Sequence, residues 1–282
     1  MRISYHILFG SIFFLSHCAL ADEGYQLETS LNNDRYKSDS GYKTSDNVLD
    51  ATYYLSKVDT RTYPFQEAAF MARSSSIGIG LGKGDSESSF GYKFDNKSYS
   101  LMASYANPSH PYVITGETNE SKRDSSSGKS ESKSFTITPG YYLRDNLLLS
   151  ASLTKSETEY AGGTYDNNTA LLTTKWLHVL PSGKTYNFVA GVARSNYDST
   201  SSSSSHVTAV YLSSEYYLTR AFSLGALVVV GDSSDSDSNS KTYGLSSSWY
   251  ITPSLFAKLS GIKYNGNSAD SENASLTLGM RF

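Results

Sequence analysis

Residues 22–282 contain no cysteine, because the only one in the chain is Cys18. Disulfides and thiolate metal sites are therefore excluded from that stretch. Long apolar runs are missing as well. The most apolar stretch, 7–15, is about half of the twenty residues that a helix needs to cross a bilayer. No helical periodicity, proline-rich linker or charged tail is present to mark an added anchoring domain. The 24 basic and 27 acidic side chains give a net charge of −3, which argues against nucleic acid as a partner. Histidine is scarce, with only His110, His178 and His206 after residue 21, and none stands at a spacing that pairs it with a nucleophile. Hydrophobic residues make up 38 % of the chain, too few for the core of a soluble globule of this length.

What the chain does have is tyrosine, 23 copies of it, and alternation. Its last ten residues place Ala274, Leu276, Leu278, Met280 and Phe282 on one parity and Ser275, Thr277, Gly279 and Arg281 on the other. A strand of that length with one apolar and one polar face suits a wall between lipid and a polar lumen. The terminal Phe282 resembles the C-terminal signature of bacterial outer-membrane β-barrels, which implies recognition by the barrel-assembly machinery. At the other end, Arg2, the apolar stretch 7–15 and the small residues Ala19 and Ala21 read as a secretory signal peptide over 1–21, leaving 22–282 as the barrel domain. His17 stands before Cys18 where a lipoprotein carries a small residue, which argues against lipidation.

A unit recurs along the chain: two aromatics, an aliphatic, a short polar turn and an alternating strand. It appears at Tyr141-Tyr142-Leu143, at Tyr216-Tyr217-Leu218 and at Trp249-Tyr250-Ile251, with looser copies at Trp176 and Tyr53. The connections between units, 32–47, 107–133, 198–205, 232–240 and 265–272, are longer and rich in Ser, Asp, Asn and Gly. Such an alternation of tight and long connections predicts an all-β, transmembrane, antiparallel up-and-down β-barrel with both termini in the periplasm. Strands are expected near 24–31, 47–55, 75–83, 88–95, 98–106, 133–143, 147–158, 168–179, 185–196, 206–218, 222–231, 241–251, 255–264 and 273–282. The total is about fourteen, with twelve or sixteen left open. Ala68, Phe70 and Ala72 share one parity and Ile77, Ile79 and Leu81 the other, which predicts a bulge at 73–76 or a strand that begins only after it.

Charges are costly at the lipid midplane, so Lys93, Lys133, Lys175, Glu215, Lys258 and Arg281 are expected to line the lumen. Fourteen strands and small inward residues such as Ser100, Ser150, Gly140 and Ser260 favour an open channel over a filled barrel. The longest connection, 107–131, begins with Pro108, Pro111 and the apolar Tyr112-Val113-Ile114 before a charged run. It is expected either to dip into the lumen as a constriction loop carrying Glu117, Glu120, Lys122 and Arg123, its carboxylates facing Lys175 and Lys258, or to remain a solvated surface loop. Asp232, Asp235 and Asp237 alternate as in a calcium loop but lack its glycine and closing glutamate, so no metal or other cofactor is expected.

Ala51-Thr52-Tyr53-Tyr54-Leu55, Val58-Asp59, Pro64, Glu67-Ala68-Ala69-Phe70 and Arg73-Ser74-Ser75 resemble the early motif of the putative general bacterial porin family of Gram-negative bacteria, and the Tyr-Tyr-Leu turns extend the likeness along the chain. The resemblance implies passive diffusion of small hydrophilic solutes across the outer membrane, with no catalytic residues. It also implies outer-membrane lipids and lipopolysaccharide as surroundings and a homotrimer as the usual assembly, a monomer being equally compatible with fourteen strands. The competing expectation is a lumen-plugged structural or adhesive barrel. An outer-membrane enzyme is disfavoured by the scattered histidines.

Overall fold

The computed structural model describes residues 24–282 apart from 126–127, 161–162, 200–201, 235–238 and 267–269; the stretch 1–21, expected as a signal peptide, lies outside the described residues. Fourteen antiparallel strands close into one barrel: β1 (Gly24–Ser38), β2 (Lys43–Asp59), β3 (Ser76–Glu87), β4 (Lys93–Ala106), β5 (Tyr112–Ser125), β6 (Gly128–Arg144), β7 (Leu147–Tyr160), β8 (Gly163–Val179), β9 (Thr185–Ser199), β10 (Ser202–Thr219), β11 (Phe222–Ser233), β12 (Asn239–Thr252), β13 (Leu255–Asn265) and β14 (Ser271–Arg281). Each strand pairs with its sequence neighbours, and β1 closes on β14 with Glu28 opposite Arg281. Beyond the last strand residue, the Phe282 carbonyl accepts from the Gln26 and Leu27 amides at 2.7 and 3.0 Å.

The expected number is correct, but two of its members are not. Residues 88–92 form a turn, so the strands expected at 88–95 and 98–106 are one strand, β4. In compensation, most of the connection expected at 107–131 is a strand, β5, paired with β4 from Val113 and with β6 from Tyr112. Alternation explains the first correction. Lys93, Asp95, Lys97, Tyr99 and Leu101 keep one face of β4 without a slip, so there is no turn at Asn96–Lys97. The expected long connections are likewise mostly strand, because the ladders run on past the apolar band. The end of the barrel away from the termini thus carries short connections, and the longest connection, 60–75, lies at the terminal end.

The repeating Tyr-Tyr-Leu unit has a structural meaning that its sequence does not display. Its first and third residues lie on the outer wall, where Tyr141, Leu143, Trp249 and Ile251 are exposed and Tyr216 and Leu218 half-buried, whereas its second residue, Tyr142, Tyr217 or Tyr250, is buried inside. The strand register shifts immediately afterwards in all three copies, between Tyr142 and Arg144, Tyr217 and Thr219, and Tyr250 and Thr252. A bulge of this kind bends the strand at the rim. The result is an inner tier of tyrosines at the terminal end in addition to the outer aromatic girdle.

Outside, the apolar band is continuous, with Ile79, Leu101, Leu153, Leu172, Val210, Leu259 and Leu278 all exposed. Inside, β3 presents Gly78, Gly80, Gly82 and Gly84 on alternate positions between Ser76 and Ser86. Among them, close approach of backbone requires glycine at Gly84. A Cβ on Gly84 would lie 2.5 Å from the Ser45 carbonyl and collide with the Asp46 carboxylate, whereas the one severe clash of a Cβ on Gly82 would be with the rotatable Ser98 hydroxyl. Gly84→Ala is therefore expected to cost about 1–3 kcal/mol in urea unfolding from detergent micelles, and Gly82→Ala distinctly less. Equal costs at the two positions would show that backbone crowding is not the cause.

A candidate constriction inside the barrel

The connection between β2 and β3 turns into the lumen. Pro64 starts a 3₁₀ turn (Phe65–Glu67), which continues into a short helix, α1 (Ala68–Ala72), and Arg73 ends it in the left-handed region at φ 47°. This accounts for the parity slip at 73–76: Ala68, Phe70 and Ala72 belong to a helix, and β3 begins after it. Ser75 fixes the exit, with its hydroxyl donating to the Ala106 carbonyl at 2.7 Å and accepting from the Ala106 amide at 3.0 Å. Ala68 packs with Tyr25 and Val58, against which Tyr54, Ala69 and Ala72 also lie.

Glu67 is the centre of the segment and is 1 % exposed. Its Oε2 lies 2.6 Å from Lys175 Nζ on β8. Its Oε1 accepts from Tyr217 Oη on β10 at 2.7 Å and from Asn187 Nδ2 on β9 at 2.9 Å. The neighbouring Gln66 donates its Nε2 to Glu215 Oε2 at 2.7 Å, and Glu215 also accepts from Tyr217 Oη at 3.1 Å and from Ser223 Oγ at 2.5 Å. The Phe65 amide donates to the Arg220 carbonyl at 3.0 Å. Further along, Lys175 Nζ sits 4.3 Å from the Phe70 ring centroid, and Arg73 reaches Asp145 at 2.9 Å while covering the Tyr142 ring. In a circle of fourteen strands, β3 and β10 are seven apart. A segment that starts between β2 and β3 and bonds to β8, β9 and β10 therefore crosses the full lumen.

A second cluster completes this level. Arg281 on β14, 3 % exposed, donates from Nε to Glu28 on β1 at 2.6 Å, from Nη1 to the Phe65 carbonyl at 2.8 Å and from Nη2 to Tyr250 Oη at 3.2 Å. Its guanidinium also lies 4.4 Å from the Tyr25 ring centroid and 4.7 Å from that of Tyr250. Lys258 Nζ stands 5.2 Å from the Phe256 ring centroid. Three carboxylates, Glu28, Glu67 and Glu215, thus meet three cations, Lys175, Lys258 and Arg281, so the level is close to neutral overall while carrying strong local fields.

Four of the six residues expected to line the lumen are in this ensemble. The other two are not inside. Lys93 shares the outward parity of Leu101, and Lys133 shares that of Phe135 and Ile137, where it pairs with Glu131 at 2.7 Å. Because β5 is a strand, the four residues expected on a constriction loop are divided between its faces. Glu117 and Arg123 point inward, Arg123 donating to Asn96 at 3.2 Å; Glu120 and Lys122 point outward and pair at 2.8 Å. The carboxylate that meets Lys175 is Glu67. Glu28, Gln66, Glu67, Asn187 and Tyr217 were all missed. The available signal was the helix-compatible Glu67-Ala68-Ala69-Phe70 between two strands of opposite parity.

Above the constriction the lumen has two kinds of wall. Hydroxyls line β4 to β8, many bonded across the ladder, as in Ser104 with Thr115 at 3.0 Å, Thr136 with Thr154 at 2.8 Å and Thr138 with Ser152 at 2.8 Å. From β9 to β13 the inward set includes Val189, Leu227, Val229 and Ile262, beside a cavity of about 260 Å³ that touches Asn187, Glu215 and Ser246. Nearer the far end, a cavity of about 420 Å³ is bordered by Asp34, Asp46, Asn96, Ser98 and Arg123. The three histidines are widely separated: His110 stacks on Tyr112 in the connection before β5, His178 lies beside Trp176 on β8, and the His206 amide bonds to Ser234 near the far end. His110 is thus at the end of the barrel that carries the termini, in the short connection 107–111.

The family described as putative general bacterial porin matches residues 7–182. Among solved structures, the Acinetobacter baumannii outer membrane protein Omp33 is similar at 18 % identity and a TM-score of 0.58, over 93 % of this chain and all of that one. The monoaromatic hydrocarbon channel CymD is similar at 7 % identity and a TM-score of 0.61, over 92 % of this chain and 89 % of that one. At such identities the likeness is one of fold. No curated protein sequence matches the chain.

Proposed function

The chain belongs to the putative general bacterial porin family, and from that premise we propose that it is an outer-membrane channel for passive diffusion of small hydrophilic solutes, narrowed at its terminal end by residues 65–72. The observation that carries this reading is the pairing of a hydroxyl-lined lumen with a segment held across it mainly by polar contacts. An apolar plug would seal; a polar one leaves water a path and selects by size and charge. Both termini are assigned to the periplasm, so the constriction guards the inner mouth and the short connections of the far end face outward. In this reading Phe282 is presented to the barrel-assembly machinery.

Reconstitution of the folded chain in a planar bilayer tests the proposal. Stepwise conductance is expected, with small unitary steps because of the crossing segment. Silence from protein shown to be folded and inserted would favour the second reading, a closed structural barrel, for which the span of the segment across the whole diameter is the specific support.

Selectivity is expected to favour cations. Asp34, Asp46, Asp50 and Glu117 face the upper lumen against Arg123, whereas the constriction balances its charges. Asp46→Asn with Asp50→Asn is expected to lower the cation-to-anion permeability ratio, read from the reversal potential in a salt gradient. An unchanged ratio would place the filter elsewhere.

A further inference from the structure

On the outer wall near the far end, strands β11 to β14 and β1 form a groove of about 750 Å³. Its register is a two-row lattice. One row runs Lys37, Glu272, Lys263, Tyr243, Val228, and the row nearer the membrane centre runs Arg35, Ala274, Gly261, Leu245, Ala226. Gly261 and Ala274 stand directly opposite each other and make the floor; a Cβ on Gly261 would meet nothing within 4 Å, and Leu245 rises beside it as a ridge, 73 % exposed. Arg35 beside this dent and Lys37 and Lys263 above it are all exposed and, among the described residues, have no carboxylate within ion-pair distance, although Glu272 lies between Lys37 and Lys263 in the register. The outward lysines of β5 and β6 differ: Lys122, Lys129 and Lys133 are tied to Glu120, Asp124 and Glu131.

An apolar groove that rises to unpaired cations at the lipid boundary matches a lipid with an acyl chain below and phosphate above. A second copy of this chain fits less well, since a symmetric contact through this face would set its cations against like charges. We propose that the groove is a binding site for one molecule of phosphorylated outer-leaflet lipid, lipid A, with an acyl chain over Gly261 and Ala274 and phosphates held by Arg35, Lys37 and Lys263. The assignment rests on the far end facing outward and does not depend on whether the lumen conducts.

The test is native mass spectrometry of the folded chain in detergent with bisphosphorylated lipid A, dephosphorylated lipid A or phosphatidylglycerol added. The parent is expected to retain one bisphosphorylated lipid A. The triple change Arg35→Ser, Lys37→Ser, Lys263→Ser is expected to weaken retention at least about tenfold, in keeping with roughly fivefold per cation near a charged lipid surface. Gly261→Phe fills the groove with the cations intact and is expected to weaken it as well, whereas Lys129→Ser with Lys133→Ser leaves it unchanged. Retention unaltered in both groove variants, or equal retention of dephosphorylated lipid A, would overturn the proposal. Preference for phosphatidylglycerol would overturn the outward assignment of this face. A discrete oligomer of the parent that Gly261→Phe abolishes would assign the groove to a second copy instead. Bilayer conductance of the same variants is expected to match the parent, which separates this result from the fate of the channel reading.

Discussion

Replacement of residues 63–73 by a Gly-Ser-Gly-Ser linker is expected to raise single-channel conductance severalfold. The shortened connection still reaches from Asp59 to Ser76, because the last pair in the β2–β3 ladder, Tyr54 with Ser76, leaves only five further residues of β2 to be retraced. What disappears is the segment that carries Glu67 to Lys175, Gln66 to Glu215 and the Phe65 carbonyl to Arg281. Lys175 and Glu215 remain on the wall, now hydrated, so the vacated level becomes wider and charged on its own account. A finer version changes one residue. Glu67→Ala leaves Lys175, Tyr217 and Asn187 without their shared acceptor. Removing one partner of a buried ion pair costs about 3–5 kcal/mol, enough to unseat a segment of this length. The variant should therefore show frequent transitions to the conductance of the linker chain. Traces indistinguishable from the parent in both variants would mean that residues 65–72 do not limit the pore.

Arg281→Ala is expected to destabilise the barrel by about 3–5 kcal/mol, the cost of stranding Glu28 without its buried partner. The change removes three hydrogen-bond interactions at once, to Glu28, to the Phe65 carbonyl and to Tyr250, together with the cation held against the Tyr25 and Tyr250 rings. Arg281→Lys should recover only part of the loss, because a single ammonium cannot reproduce the forked donation to separate acceptors. Urea titration of the folded and unfolded bands on unheated gels would measure both. A loss within about 0.5 kcal/mol, the range of an ordinary surface substitution, would show that the guanidinium is not structural.

The wall was legible in the sequence because a barrel strand repeats one simple constraint, apolar outward and polar inward, over ten or more residues. Lys175, Glu215, Lys258 and Arg281 could be placed inside on that basis alone. Reading failed where the constraint weakens. Beyond the lipid band neither face needs to be apolar, so Ser121, Arg123 and Asp124 looked like loop although the ladder continues through them. The missed β5 and the surplus strand at 88–95 follow from this same blindness, and they cancelled in the total. The constriction was invisible for a different reason. Its logic is a long-range one: Glu67 and Tyr217 are 150 positions apart, and nothing local to either announces the other. The polar residues of a lumen find partners across space, and alternation carries no information about which.

The Phe65 carbonyl and the Glu28 carboxylate share one guanidinium at the joint between the first and last strands. The seam of the cylinder is thus partly built from its own filling. If the crossing segment were still outside when β14 docked on β1, Arg281 would be enclosed with one acceptor missing, and the joint would be weakest at the moment it formed. Seating the segment first makes the final docking most favourable. A wall completed around an empty interior is thereby penalised, and closure itself becomes a check on how the inside has been packed.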